Sequence, residues 1–225
     1  MATKKRSSMA HAAALVPLAI GLSMNGLAPS HKDSATKSAS SSQPASCSQF
    51  DIDGSASKGL SEVTIPPTHS CTTRMSHGFP LPDPSCTPGA VNPTITTKIL
   101  QDPEFHTSCV REQASSRTEK NATYDFYGIP HPDHNSGQTQ ICELDHLISL
   151  ELGGADTVDN IWPQCGPDGV ALSERFFKRK DAVENFLAKQ VRDGKISLSD
   201  AQKGISSDWT QFLAESEGCD GAACE

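Results

Sequence analysis

The stretch Cys142 through Gln164, CELDHLISLELGGADTVDNIWPQ, decides how this chain is read. An adjacent Asp145-His146 pair lies in a short apolar run, Gly153-Gly154 follows, and Asn160 precedes a Trp162-Pro163 step. Ile141 to Leu152 has the composition of a strand, the two glycines predict a turn, and Val158 to Trp162 predicts a return strand. A carboxylate that can hold a divalent metal stands beside an imidazole that can take a proton from water. That pairing is what metal-assisted phosphodiester hydrolysis needs. Neighbours on a regular strand point to opposite faces, so the pair can serve one phosphate only if the strand ends or twists there.

Downstream, Leu172 to Arg192 predicts a helix, because Phe176, Val183, Phe186, Leu187 and Val191 recur at helical spacing. Asp193-Gly194 ends it, since glycine tolerates the left-handed cap. A second helix starts near Ser197 or Ser199 and continues through Ala201, Ile205, Trp209 and Phe212. Ser197 and Asp200 have the spacing of a capping pair. Upstream, His131 to Gly137 is a polar loop, and Tyr124 to Pro130 reads as a strand or extended piece ending in a turn. Asp102 to Lys120 contains a helix, and Thr94 to Leu100 is a short helix or strand.

Ordered structure is expected from about Cys86-Thr87-Pro88-Gly89. Residues 47–85 carry Pro66, Pro67, Pro80, Pro82 and Pro84 and read as a loop-rich, cysteine-containing segment. Residues 30–46, rich in Ser, Ala and Lys, read as a disordered linker. Residues 1–29 read as a signal peptide: Lys4, Lys5 and Arg6 precede an apolar stretch from Ala10 to Met24 and small residues beyond it. That stretch is short of the roughly 20 apolar residues of a membrane span. The expectation is a secreted or periplasmic protein with no stable membrane association once the signal is removed.

Eight cysteines, none in a Cys-x-x-Cys pair, fit disulfides in an exported chain better than a zinc ribbon. Local pairing is expected: Cys47–Cys71, Cys86–Cys109, Cys142–Cys165 and Cys219–Cys224. The net charge of −8 and pI of about 5.4 argue against tight, non-specific nucleic-acid binding. They leave a hydrolase open, because a bound metal supplies local positive charge.

Glu143-Leu144-Asp145-His146-Leu147-Ile148, then Leu152-Gly153-Gly154, then Asp159-Asn160-Ile161-Trp162-Pro163-Gln164 together resemble the HNH nuclease family, in its secreted or periplasmic branch. A weaker likeness spans residues 86–213, with an acidic cysteine-containing tail at 214–225. The resemblance implies an α+β fold: a small ββα-metal core with flanking helices, disulfide-stabilised, behind a disordered N-terminal region. It implies an endonuclease cutting DNA or RNA. The sequence offers no base-specific reader, so little sequence preference is expected, and the chain is expected to be a monomer. His146 would be the general base, and a neutral imidazole with pKa of about 6.5 suits that task. Asp145 would hold the metal. Asn160 would brace the loop that aims His146.

The family's downstream ligand has no match, since Gly169 and Ser173 stand where it is expected. On the helix, Lys180 falls in the sector of Phe176, Val183 and Leu187, and an inward lysine needs a partner. Either Glu184 pairs with it, or Glu184 is the missing oxygen ligand and Lys180 contacts the phosphate. Arg175, Lys178 and Arg179 form a compact basic run. Arg175 and Arg179 are candidate phosphate contacts; the alternative is a solvated helix face. An oxygen-and-nitrogen site with one carboxylate favours Mg²⁺ or Mn²⁺, with Zn²⁺ or Ni²⁺ as alternatives. Trp162 is expected in the core. His131, Asp133 and His134 form either a solvated loop or a small metal site. The runner-up function is a catalytically inactive, disulfide-rich binding module on the same fold.

Overall fold

A computed structural model describes residues 47–54, 56, 65–111 and 117–217. The expected signal peptide, the linker at 30–46 and the Cys219–Cys224 pair lie outside them. The described residues form a mixed structure of helices and two small antiparallel sheets with three disulfides. In chain order the elements are β1 (Arg74–Ser76), β2 (Phe79–Leu81), α1 (Thr97–Leu100), α2 (Arg117–Tyr127), β3 (Cys142–His146), β4 (Ile161–Cys165), α3 (Phe176–Arg192) and α4 (Leu198–Asp208). Among the described residues no helix is long and apolar enough to cross a membrane.

β3 and β4 pair antiparallel in the register Cys142 with Cys165, Asp145 with Trp162 and His146 with Ile161. β3 is shorter than its composition predicts, and β4 begins three residues later than expected and runs on to Cys165. After His146 the chain leaves the sheet and makes a short 3₁₀ turn over Leu150–Leu152, ended by Gly153 at φ +70°. The cause is Asn160, whose side chain replaces a strand partner. It accepts from Ile148 N at 2.9 Å and donates to the carbonyls of Ile148 at 2.9 Å and Ala155 at 2.8 Å. Gly154 closes the same knot, since a Cβ there would overlap the Ile148 carbonyl.

The two C-terminal helices follow the expected spacing. α3 buries Val183, Leu187 and Val191 along one stripe, against Ala201 and Ile205 of α4 and Leu150 and Leu152 of the 3₁₀ turn. Each such side chain contributes about 1.5–3 kcal/mol on burial. At the start of α3 the fully buried ring is Phe177, while Phe176 lies at the rim against Phe79. Gly194 takes the left-handed conformation after α3, and Ser197 Oγ caps α4 by accepting from Asp200 N at 3.1 Å.

Tyr124 to Tyr127, expected as extended chain, instead ends helix α2. Lys120, Thr123, Tyr124 and Tyr127 recur every three to four residues and are buried against β4. Tertiary packing outweighs the strand preference of the aromatic residues here.

The cysteine pairing is only partly local. Cys142–Cys165 forms as expected, but the others are Cys71–Cys86 and Cys47–Cys109. Residues 72–85 fold back as the β1–β2 hairpin, with Thr72 N donating to Asp83 at 2.9 Å, so the two ends of that segment meet. Cys47 reaches Cys109 because Asp53 lies along Asn92 and Thr94, with Asn92 Nδ2 donating to Asp53 O at 2.8 Å. Order therefore begins well before Cys86. The hairpin packs Phe79 edge-on against Trp209, whose indole N–H donates to Pro80 O at 3.1 Å.

Asp208 anchors the hairpin by accepting from Ser76 Oγ at 2.6 Å. Burial opposes ionisation of this carboxyl, but the hydrogen bonds from Ser76 and Thr210 prevail and hold it below the usual carboxylate range. A carboxyl depressed by folding stabilises the protein above its unfolded pKa of about 3.9, and that contribution is lost as pH falls through the folded value. Asp208→Asn should flatten the acid limb of stability measured by urea denaturation. An unchanged limb would contradict the anchor. Asn160→Ala should cost about 3 kcal/mol or more, since it orphans one buried donor and two acceptors. A loss below 1 kcal/mol in the same measurement would remove Asn160 as the brace.

Candidate functional site

Asp145 and His146 open onto one cavity of about 260 Å³, because His146 is the last residue of β3 and the chain turns away there. The cavity is also lined by Glu143, Glu151, Asp181, Glu184 and Ser149, with Arg111 at its edge. Glu143 and Asp145 share a face of β3, while Asp181 and Glu184 come from α3. Ser149 is buried, and its hydroxyl finds no hydrogen-bond partner among the described residues.

His146 is held by a chain of two further residues. Its Nε2 lies 2.8 Å from Asp156 Oδ1, and the other oxygen of Asp156 accepts from Lys120 Nζ at 2.7 Å. Burial opposes ionisation of Asp156, but the bonds from His146 and Lys120 prevail and keep its pKa below the usual value. A carboxylate only accepts, so Nε2 carries the proton and Nδ1 is left with a free lone pair. The residue is 8% exposed. Burial lowers the pKa of His146, with Asp156 pulling the other way, so the neutral form is favoured.

Asp145 belongs to a second network. Lys180 is fully buried. Its ammonium donates to His146 O at 2.6 Å and to Glu184, and lies 2.9 Å from Asp145 Oδ2. The Asp145 contact is a close, buried ion pair. Burial disfavours the ammonium, but Asp145 and Glu184 prevail and hold the Lys180 pKa above the usual lysine value. One ammonium cannot neutralise two carboxylates, and burial raises both Asp145 and Glu184. Glu143 is pushed up to about 7, first by burial and then by repulsion from Asp145 and Asp181.

The donor type is that of a hard divalent cation: carboxylate oxygens in a cavity with excess negative charge. Among the described residues, however, no three His, Cys, Asp or Glu side chains are grouped as a ligand set. Lys180 stands between the two carboxylates that such a set would begin with.

Of the residues marked in the sequence, Asp145, His146 and Glu184 meet at the cavity, and Asn160 braces the loop behind them. Lys180 and Glu184 do pair. Lys180, Arg175 and Arg179 do not line the cavity; Arg175 is buried and donates to Pro167 O. Arg111 is the guanidinium that does line it. His131, Asp133 and His134 stay in an exposed loop, and Trp162 is core. Asp156 and Lys120 escaped sequence reading. Asp156 carries no motif beyond following the glycine pair, and Lys120, at the end of the 102–120 segment expected to contain a helix, has no local feature that marks a distant partner.

Removing one partner of a buried ion pair leaves an uncompensated charge and costs about 3–5 kcal/mol. Lys180→Met should therefore lose about that much by chemical denaturation, and adding Glu184→Gln should restore part of it. A loss under 1 kcal/mol would show that the ammonium is not what holds α3 to β3.

Compared with protein-family models, with curated proteins and with solved structures, the chain has no match in any of the three.

Proposed function

We propose that this chain is an endonuclease of the HNH type that hydrolyses phosphodiester bonds of nucleic acid, with β3, β4 and α3 serving as a ββα-metal finger. The observation that carries the reading is the His146–Asp156–Lys120 chain beside a carboxylate-lined cavity. His146 Nδ1 takes a proton from water as the water oxygen bonds to phosphorus. The bond to the leaving nucleoside oxygen breaks, and that oxygen takes a proton from solvent. Asp156 holds the ring in the required tautomer and stabilises the imidazolium that forms. Asp145 and Glu184 would hold Mg²⁺ or Mn²⁺. Such an ion, when bound, supplies Lewis-acid polarisation of the phosphate and charge stabilisation. Three disulfides support an oxidising, secreted or periplasmic setting.

A second reading is a binding module on a finger that has lost catalysis. The position of Lys180 between Asp145 and Glu184, where a cation would otherwise be held, favours it.

Plasmid nicking by the oxidised full chain, with and without Mg²⁺ or Mn²⁺, separates the two. His146→Ala should lower the rate by about 10²–10⁴-fold, the usual contribution of a positioned base. Asp156→Asn, whose amide can donate to Nε2 and invert the tautomer, should lose a similar factor in protein verified as folded, since it also weakens the Lys120 ion pair. Nicking that survives His146→Ala would sink the assignment. No nicking by folded wild type with any of the ions would favour the binding module.

A further inference from the structure

A second cavity, of about 550 Å³, adjoins the His146 recess. The two share Thr107, Glu151 and Asn185 as lining residues, so they form one groove. Their chemistry differs. The recess is dominated by carboxylates. The larger cavity has an apolar wall of Leu100, Pro103 and Phe105, with His106 and Arg192 beside it. Asp102 and Glu151 line it too, against one guanidinium, so it is not a basic track. Its volume falls in the range of pockets that take small organic groups, where an apolar wall and a few polar groups fix orientation.

The recess sets what can reach His146. At about 260 Å³ it has room for a phosphodiester and little more, and the ring it must approach is nearly buried. A diester lying there must send its neighbouring nucleotide out through the shared rim. That nucleotide then meets the apolar wall, separated from the base it would stack on. A duplex must be unpaired and unstacked to do this, whereas a single strand presents splayed bases at little cost.

We propose that the groove is a subsite pair for a single polynucleotide strand, with the scissile phosphate in the recess and the adjacent base unstacked against the wall of Leu100, Pro103 and Phe105, flanked by His106 and Arg192. The proposal rests on the hydrolase reading of His146, and it assigns single-stranded nucleic acid as the substrate.

The test compares kcat/KM of the oxidised full chain, with Mn²⁺, on a single-stranded oligonucleotide, on its duplex, and on bis(p-nitrophenyl) phosphate, which fills the recess alone. The strand should be cut at least about tenfold better than the duplex. His106→Ala, an exposed position, should lower kcat/KM for the strand about fivefold more than for the small diester, a split that a loss of folding would not produce. Equal rates on strand and duplex, or equal losses on strand and small diester, overturn the proposal. Anisotropy of the labelled strand on the His146→Ala protein separates the two levels. Binding that depends on His106 without any hydrolysis by wild type would keep the groove and remove the hydrolase. Absence of both would remove both.

Discussion

A buried ammonium joins helix α3 to the last two residues of strand β3. Lys180 Nζ meets the His146 carbonyl, the Asp145 carboxylate and the Glu184 carboxylate, and no part of the side chain reaches solvent. Burying a charge is unfavourable unless its partners are close and fixed, so this lysine constrains everything around it. It sets the height of α3 over the sheet, which in turn places Asp181 and Glu184 on the cavity opposite Glu143 and Asp145.

The same end of β3 divides two neighbouring residues between two networks. Asp145 is turned toward Lys180, and His146 toward Asp156 and Lys120. On a continued strand the two side chains would lie on opposite faces. Asn160 prevents that continuation by taking the hydrogen bonds of Ile148 into its own amide, and the absence of a side chain at Gly154 makes room for the turn. Structure and proposed chemistry thus depend on one local event, the termination of a five-residue strand at its histidine.

The features legible in the sequence were those fixed by near neighbours. The α3 stripe, the Gly194 stop, the Ser197 cap and the inward lysine all follow from spacing along one helix. Asn160 was legible through its position relative to His146. What escaped depended on distant partners. Tyr124 and Tyr127 look like strand residues until β4 is placed against their helix, with Asp83 and Thr87 at the Tyr127 hydroxyl. Cys47 pairs across the chain with Cys109, a contact set by Asn92 and Thr94 rather than by proximity in sequence. Asp156 has no feature of its own. It becomes significant only because the loop bent by Asn160 brings it to His146, while α2 brings Lys120 to its other oxygen.

The proposed chemistry requires His146 to be a neutral imidazole with its proton on Nε2 and its Nδ1 lone pair available. Long-range ¹⁵N correlation spectra of the histidine-labelled, oxidised protein at neutral pH read this directly. The account predicts the Nε2–H tautomer for His146 in wild type, and its loss in Asp156→Asn. An Nδ1–H tautomer, or a doubly protonated ring at neutral pH, would contradict it.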